Sequence, residues 1–511
     1  MQKAKLQVKN KKFLVWLLSN KWIVCLLILA LALRLYHLQE LFYYSHDNDL
    51  SGWFIKDVLV NHHPRLIGQE TSTRGIFIGP LFYYLQIPFY LLTGLDPIGS
   101  TLLVALLGTA TVASIYFVFS KIWSKNVGLI GGLIYATSFY TILTDREVVP
   151  TMPVMLWTVW FLYALWLLIN NRQKFAWPIV GILLGLIWHL NFALVLVVPL
   201  IFVAWLMGKG KKQIDVQSLF VGIGLTLFLS IPLILFELRH HSQQVHSLIK
   251  ALTTNQEDPV SGIDKWIRTF HLASKDVASL LGTSIFPLSI ELVHIGLLLL
   301  LIYLIWKKHV EQKLGIILVL WITLFLSFFS LYSKILSEYY LNGMIIVYIA
   351  VLSVSISSLL SSSRRRGSNY IKLLGIFLVS FFVLINLYRF FTIPLNRSGY
   401  IYRKAVIAEI KKDAEEKGYP CASISYITDP GSNLGYRYFI WRERLKTKPI
   451  TKLVPVYTII FPLKPMYKED KSIGALGLIY PDYSKYNSDT VSKECDGSDW
   501  NLEEPMFGFT K

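Results

Sequence analysis

Apolar runs of about twenty residues recur along this chain, and they constrain its fold more than any other feature. A helix rises about 1.5 Å per residue, so one such run crosses the ~30 Å hydrocarbon core of a bilayer. Lipid offers backbone N–H and C=O groups no partners, so segments of this length span as helices that satisfy themselves. The runs lie at roughly 22–38, 98–120, 126–144, 151–169, 175–189, 192–207, 216–237, 290–306, 314–333, 339–361 and 371–393. They predict an all-α polytopic membrane protein with about eleven transmembrane helices. The fifth and sixth form one stretch interrupted near WHLN at 188–191, and read as a tight helical pair or a single longer element. Composition agrees: the chain is 54% hydrophobic and 16% charged, with a mean hydropathy of +0.49. A soluble domain carries about 25% charged residues.

The net charge of +18 does not point to nucleic acid, because the basic residues cluster in short loops between apolar runs. KIWSK, NNRQK, GKGKKQ, KKHVEQK and SSSRRRGSNYIK alternate with loops of the opposite side, and each holds two or more Lys or Arg. Cytoplasmic loops carry this excess, so the expected N-terminus is cytoplasmic. The basic start (Lys3, Lys5, Lys9, Lys11, Lys12) runs into CLLILALALRLYHL with no small-residue cleavage site, and reads as a retained first span. The outer side then receives a long first loop at 39–97, TDREVVP at 144–150, a second large loop at 238–289, SKILSEYY at 333–340 and everything from 394. The expected location is the cell membrane, multi-pass, with residues 1–393 as the transmembrane domain and 394–511 as an extracytoplasmic soluble domain.

The C-terminal domain reads as small and α/β. RKAVIAEIKKDAEEKGY has helical spacing, ASISYIT and TIIFPL read as strands, and DPGSNLG is rich in turn residues. Cys421 and Cys495 both fall in it, on the side where oxidation persists, while Cys25 lies in the first span. A disulfide is the expectation; two thiols are the alternative in a reducing host. No cysteine spacing suits a metal.

Transporters place ionisable residues near the membrane midplane. Here Arg34, Asp145, Arg146, Glu147, Glu237 and Arg239 sit at outer span ends, and His189, read as a bonded packing residue, is the main interior exception. Polar chemistry thus gathers at the outer membrane surface. The first outer loop is too long for a plain connection. It opens with the cluster HDND at 46–49, continues through an amphipathic DLSGWFIKDVLVNHH and a turn-rich RLIGQETSTRGIFIGP, and ends in LFYYLQIPFYLL, which has the character of an interfacial helix. This arrangement suits an enzyme with one lipid-embedded substrate and one arriving from water. A lipid or solute transporter would show midplane polar residues and repeats; a non-catalytic scaffold presenting the outer domain would have no need of an acidic loop motif.

Several stretches resemble the GT-C superfamily of membrane glycosyltransferases, in the branch of protein O-mannosyltransferases and the aminoarabinose transferase of lipid A. HDND stands where that family has an Asp-Glu motif, GIFIGPLFYYLQIPFYLLTGLDP matches a Gly-Pro-Leu-Tyr-Tyr run, and DREVVPTMP matches an Arg-Glu-x-x-Pro pattern. VGILLGLIWHLNFALVLVVPL and IPLILFELRHH match later landmarks, so the resemblance runs over roughly 20–395. One position departs: Asn48 replaces the usual Glu, and an amide is no base.

The resemblance implies transfer of a sugar, hexosyl or pentosyl, from a polyprenyl-phosphate donor to an acceptor hydroxyl on a glycan, lipid or protein. The donor's leaving group is already a phosphate, whereas the acceptor needs a base, worth ~10²–10⁴-fold when well placed. The resemblance assigns the base to Asp47; the competing reading is a helix N-cap, which Asp49 fits as well. Asp49, Asp145 and Glu147 are the supporting candidates. Arg146, Arg239 and Arg74 are candidates for the donor phosphate, since guanidinium binds it bidentately. A snorkelling Arg is the plain alternative at Arg239. Tyr83 and Tyr84 read as a substrate platform or as an interfacial belt. The outer histidines His46, His62, His63, His240, His241 and His246 show no metal spacing such as HExxH, so a divalent cation is possible but not required.

Overall fold

Asparagine and serine decide where the apolar runs of this protein break into separate helices. The structure, a computed structural model, describes residues 20–503 apart from 72, 209–213, 254–257, 284–287, 333–334 and 362–367. The basic N-terminal segment and most of the loops GKGKKQ and SSSRRRG lie outside the described residues. By its contacts the chain divides into two units. The first holds residues up to 36, 104–146 and 150–393; the second holds 37–103, 147–149 and 394–511.

The first unit is helical. Among the described residues six helices are long and apolar enough to cross a membrane: Ile98–Ile122, Gln173–Leu190, Val216–Arg239, Gln312–Leu331, Tyr339–Leu360 and Asn369–Phe391. Val154–Ile169 and Ile290–Trp306 are shorter apolar helices. The protein is therefore a multi-pass membrane protein. The stretch read as a possible pair breaks at Asn191, whose extended backbone ends one helix and whose side chain accepts the Ala193 N–H at 2.9 Å to start a 3₁₀ segment, Phe192–Val197. The run at 126–144 also breaks, at Ser138, into Lys125–Thr137 and Phe139–Thr144. The fully buried Asn386 accepts the orphaned Phe139 N–H at 2.9 Å.

Span interiors carry more polar groups than the sequence suggested. His189 is a packing residue as expected, with Nε2 2.8 Å from the Leu229 carbonyl. Asn386 and His294 correct the reading that the interior was otherwise nearly clean. His294 is fully buried between the Ser274 and Tyr348 hydroxyls at 2.9 and 2.6 Å. Each is satisfied by a partner, as burial demands. Close packing depends on small residues: a Cβ on Gly181 would stand 2.0 Å from the Gly222 carbonyl oxygen, so the helices Gln173–Leu190 and Val216–Arg239 meet backbone to backbone.

The second unit contains the loop helices His46–Val60 and Leu81–Leu92, the helix Tyr400–Glu416 and a four-stranded sheet. Its strands are β1 (Ser423–Thr428), β2 (Val456–Phe461), β3 (Lys471–Ile473) and β4 (Leu476–Ile479), in the order β1-β2-β4-β3. β1 and β2 run parallel, and the other pairs are antiparallel. The helix Tyr400–Glu416 buries Val406, Ile407 and Ile410 and is tied by Asp413 to the hydroxyls of Tyr457 and Tyr483, each at 2.6 Å. The predicted helix and first two strands stand within a few residues of their expected places; β3 and β4, short and separated by a tight turn, gave too little periodicity to read.

Cys421 and Cys495 form the expected disulfide, with Cα atoms 5.5 Å apart and a sequence separation of 74. Closing a loop of that length constrains the unfolded chain by roughly 4 kcal/mol on the entropic account. Denatured, non-reduced protein should show no alkylation at these two positions by mass spectrometry, and reduction should lower the melting temperature. Full alkylation without reductant would refute the pairing.

Candidate active site

The second unit builds the acidic motif at 46–49 into the N-terminus of the helix His46–Val60. Ser45 is its N-cap in extended backbone, and Asn48 closes a capping box by accepting the Ser45 N–H at 2.7 Å. The capping task that competed for Asp47 and Asp49 is thus done by Ser45 and Asn48. Asn48 does a second job: its Nδ2 donates to the Val148 carbonyl at 3.0 Å, which ties the segment 147–149 to the helix. A carboxylate has no hydrogen to donate there, which explains the departure from the Asp-Glu pattern. Asn48→Asp should cost about 1–3 kcal/mol by setting a carboxylate against a buried carbonyl. A thermal shift of the purified protein would measure it; an unchanged melting temperature would show the amide hydrogen to be dispensable.

Asp49 is 1% exposed and fully engaged. Its Oδ1 accepts from the Tyr44 hydroxyl at 3.1 Å and the Tyr438 N–H at 3.0 Å, and its Oδ2 from the Arg437 N–H at 3.1 Å. It caps the short helix Arg437–Arg442 rather than its own. Gly52 admits this packing, since a Cβ there would stand 2.7 Å from the Tyr438 ring. Burial raises the carboxyl's proton affinity, and the donated hydrogen bonds oppose it. Asp49 thus holds the start of the helix Arg437–Arg442.

Asp47 is half-buried, and its side chain meets Gln69, whose Nε2 donates to Oδ1 at 3.2 Å. Burial lifts its proton affinity above the ordinary carboxylate range, with His46 and the Gln69 hydrogen bond pulling the other way. Glu147 feels the Asp47 charge. Its surface is accessible, but the protein packed around it strips part of its hydration, and this desolvation first, then Asp47, raises its pKa. The two carboxylates therefore come together although a hundred residues separate them in sequence. Gln69 was not singled out from sequence; it sat in a turn-rich segment with no periodic signal. Its Oε1 is buried with no partner among the described residues. Among the described residues no group of three or more His, Cys, Asp or Glu gathers as a metal site, while Asp47 and Glu147 supply two carboxylates.

Each of the other expected members has its own setting. Tyr83 is fully buried, stacks on Phe54 with ring centroids 4.9 Å apart, and accepts the Gln69 N–H at 3.3 Å. Tyr84 clamps the Arg65 backbone, donating to its carbonyl and accepting its N–H, both at 2.9 Å. The two tyrosines hold the loop that carries Gln69. Arg74 is exposed on that loop. In the first unit, Asp145 is 2% exposed and accepts from Arg34 Nε at 2.8 Å and from the Tyr135 hydroxyl at 2.7 Å. The supporting candidate Asp145 is thus one half of a buried ion pair. Arg146 donates to the carbonyls of Leu33 and Tyr36 at 3.1 and 2.7 Å, and Arg239 is exposed at the end of its helix.

The fold has counterparts among solved structures. It is similar to ArnT from Cupriavidus metallidurans bound to undecaprenyl phosphate, with a TM-score of 0.59 and 12% identity over 92% of this chain and 99% of that one. The apo state of the same protein gives 0.57 and 12% over the same shares. Residues 78–236 match the family described as Dolichyl-phosphate-mannose-protein mannosyltransferase. That match begins after the acidic motif and ends at the helix Val216–Arg239. No curated protein matches the sequence.

Proposed function

We propose that the protein is an inverting glycosyltransferase that moves a sugar from a polyprenyl-phosphate donor to an acceptor hydroxyl, with Asp47 as general base. The observation that carries this reading is the setting of Asp47: a carboxylate of raised proton affinity beside the unpartnered Gln69 Oε1. A base that works near neutral pH is better when its pKa lies above that of a free carboxylate. An acceptor hydroxyl at this place would give its hydrogen to Asp47, while a neighbouring donor group on the acceptor satisfies Gln69. The fold supports the reading, because ArnT, which shares it, has been seen with undecaprenyl phosphate.

In the step itself the acceptor oxygen attacks the anomeric carbon as its proton passes to Asp47. The bond from that carbon to the phosphate oxygen breaks, and the electron pair leaves with the polyprenyl phosphate. Attack opposite the leaving group inverts the centre. Cationic contacts to that phosphate are assigned to Arg74, Arg146 and Arg239. The same proposal places residues 1–393 as the transmembrane glycosyltransferase domain in the cell membrane with a cytoplasmic N-terminus, and 394–511 on the far side as a soluble domain.

Purified protein in nanodiscs, given a polyprenyl-phosphate sugar and an acceptor mixture, should release polyprenyl phosphate and yield a glycoside of inverted configuration. Retained configuration, or no turnover with any polyprenyl-phosphate sugar, would overturn the proposal.

A further inference from the structure

β1 is an edge strand of its sheet. Its pairing with β2 uses alternate residues: the Ser423 N–H donates to Pro455 at 2.8 Å, and the Asp429 N–H, just past the strand, to Phe461 at 3.2 Å. With a period of two, Ser425 and Ile427 also face β2, and the N–H and C=O groups of Ile424, Tyr426 and Thr428 point the other way. At the start of β1 that outer edge is covered. The Ala422 N–H donates to Lys446, and the Lys448 N–H to Ala422, each at 3.1 Å. The covering chain then departs through Pro449, which has no N–H to continue the ladder. No backbone hydrogen bond from another described residue reaches Ile424, Tyr426 or Thr428 on this side.

A cavity of about 840 Å³ lies along this edge, with Ile424, Tyr426, Ile450, Trp500 and His46 among its lining residues. A further 460 Å³ continues past Ser425 and Thr428, sharing Ile424, Tyr426 and Ile450. Ile450 is 62% and Trp500 40% exposed, so both present apolar surface. The His46 Nδ1 is buried without a partner among the described residues, and His46 directly precedes Asp47. Arg437 and Lys448 also line the cavity, while both Asp49 oxygens are spent on N–H and O–H donors.

We infer that the outer edge of β1 binds the acceptor, and that the acceptor is an extended, neutral to acidic polypeptide with a side-chain hydroxyl, added as a further strand. The inference rests on the transfer function proposed above and names its acceptor class. Donors and acceptors that alternate every second residue, about 6.6 Å apart, match another extended backbone. Ile450 and Trp500 offer contacts to its side chains. The positive lining disfavours a basic segment. His46, which lines the same cavity, opens the helix His46–Val60 and directly precedes the proposed base Asp47.

The test measures fluorescence anisotropy of a labelled, unstructured peptide of about ten residues containing Ser and Thr, on full-length protein in nanodiscs without donor. Binding should occur below about 1 mM. N-methylation of one alternate set of amides should weaken it at least ~10-fold, and methylation of the other set should have little effect, because strand addition uses one edge only. Ile450→Lys should weaken it similarly. No binding at about 1 mM, or equal binding of both methylated peptides, would overturn the inference. So would transfer to a glycan or lipid acceptor by protein that binds no peptide. Failure of the transfer reading is distinct: peptide would bind, and no polyprenyl-phosphate sugar would turn over.

Discussion

Asp47→Asn should fold like the parent, bind the polyprenyl-phosphate donor nearly as well, and transfer sugar at least ~100-fold more slowly, the lower end of what a positioned base supplies. The variant is a clean probe because Asp47 does not cap its helix; Ser45 and Asn48 do. An amide can also meet Gln69 through its own oxygen, so the local contacts survive while the proton acceptor is lost. The pH profile gives a second check. Burial holds the Asp47 pKa above the ordinary carboxylate value, and the base acts only when deprotonated. Activity should therefore fall as pH drops through a limb lying above about 3.9, the value of a free Asp. The limb should vanish from the residual activity of Asp47→Asn. Asp49→Asn should act otherwise, through stability, since Asp49 accepts three hydrogen bonds, two of them from the N–H groups that open the helix Arg437–Arg442. Near-normal transfer by Asp47→Asn would remove the assignment.

The second large effect is expected at Asp145. Asp145→Ala strands the Arg34 guanidinium, which is fully buried, and leaving one charge of a buried pair uncompensated costs about 3–5 kcal/mol. The site has no room to readjust: a Cβ on Gly108 would lie 2.5 Å from both Arg34 Nε and Asp145 Oδ2. The double variant Arg34→Leu, Asp145→Leu should recover much of the loss, because two apolar side chains carry no desolvation penalty. Thermal unfolding in detergent would read both. If Asp145→Ala kept its stability and lost only transfer, the pair would belong to the chemistry and not to the fold.

Much of the architecture was legible because it is local. Apolar runs announce helices that cross lipid, since their backbone satisfies itself whatever else the protein does. The helix Tyr400–Glu416 and strands β1 and β2 declared themselves by periodicity, and two cysteines alone in one domain declared a disulfide. The acidic cluster at 46–49 was visible as costly charge placed where only a use would keep it. What each member does was not visible. Four adjacent side chains leave the same turn in different directions, so HDND delivers one group to a cavity, one to Gln69, one to Val148 and one to the backbone at Arg437 and Tyr438. Asp49 meets partners 388 and 389 residues away, and Glu147 reaches the field of Asp47 only because Asn48 ties its neighbour Val148 in place. Sequence pattern reports periodicity over a few turns, whereas a carboxylate's role is set by whichever donors and charges the folded chain brings within about 4–6 Å.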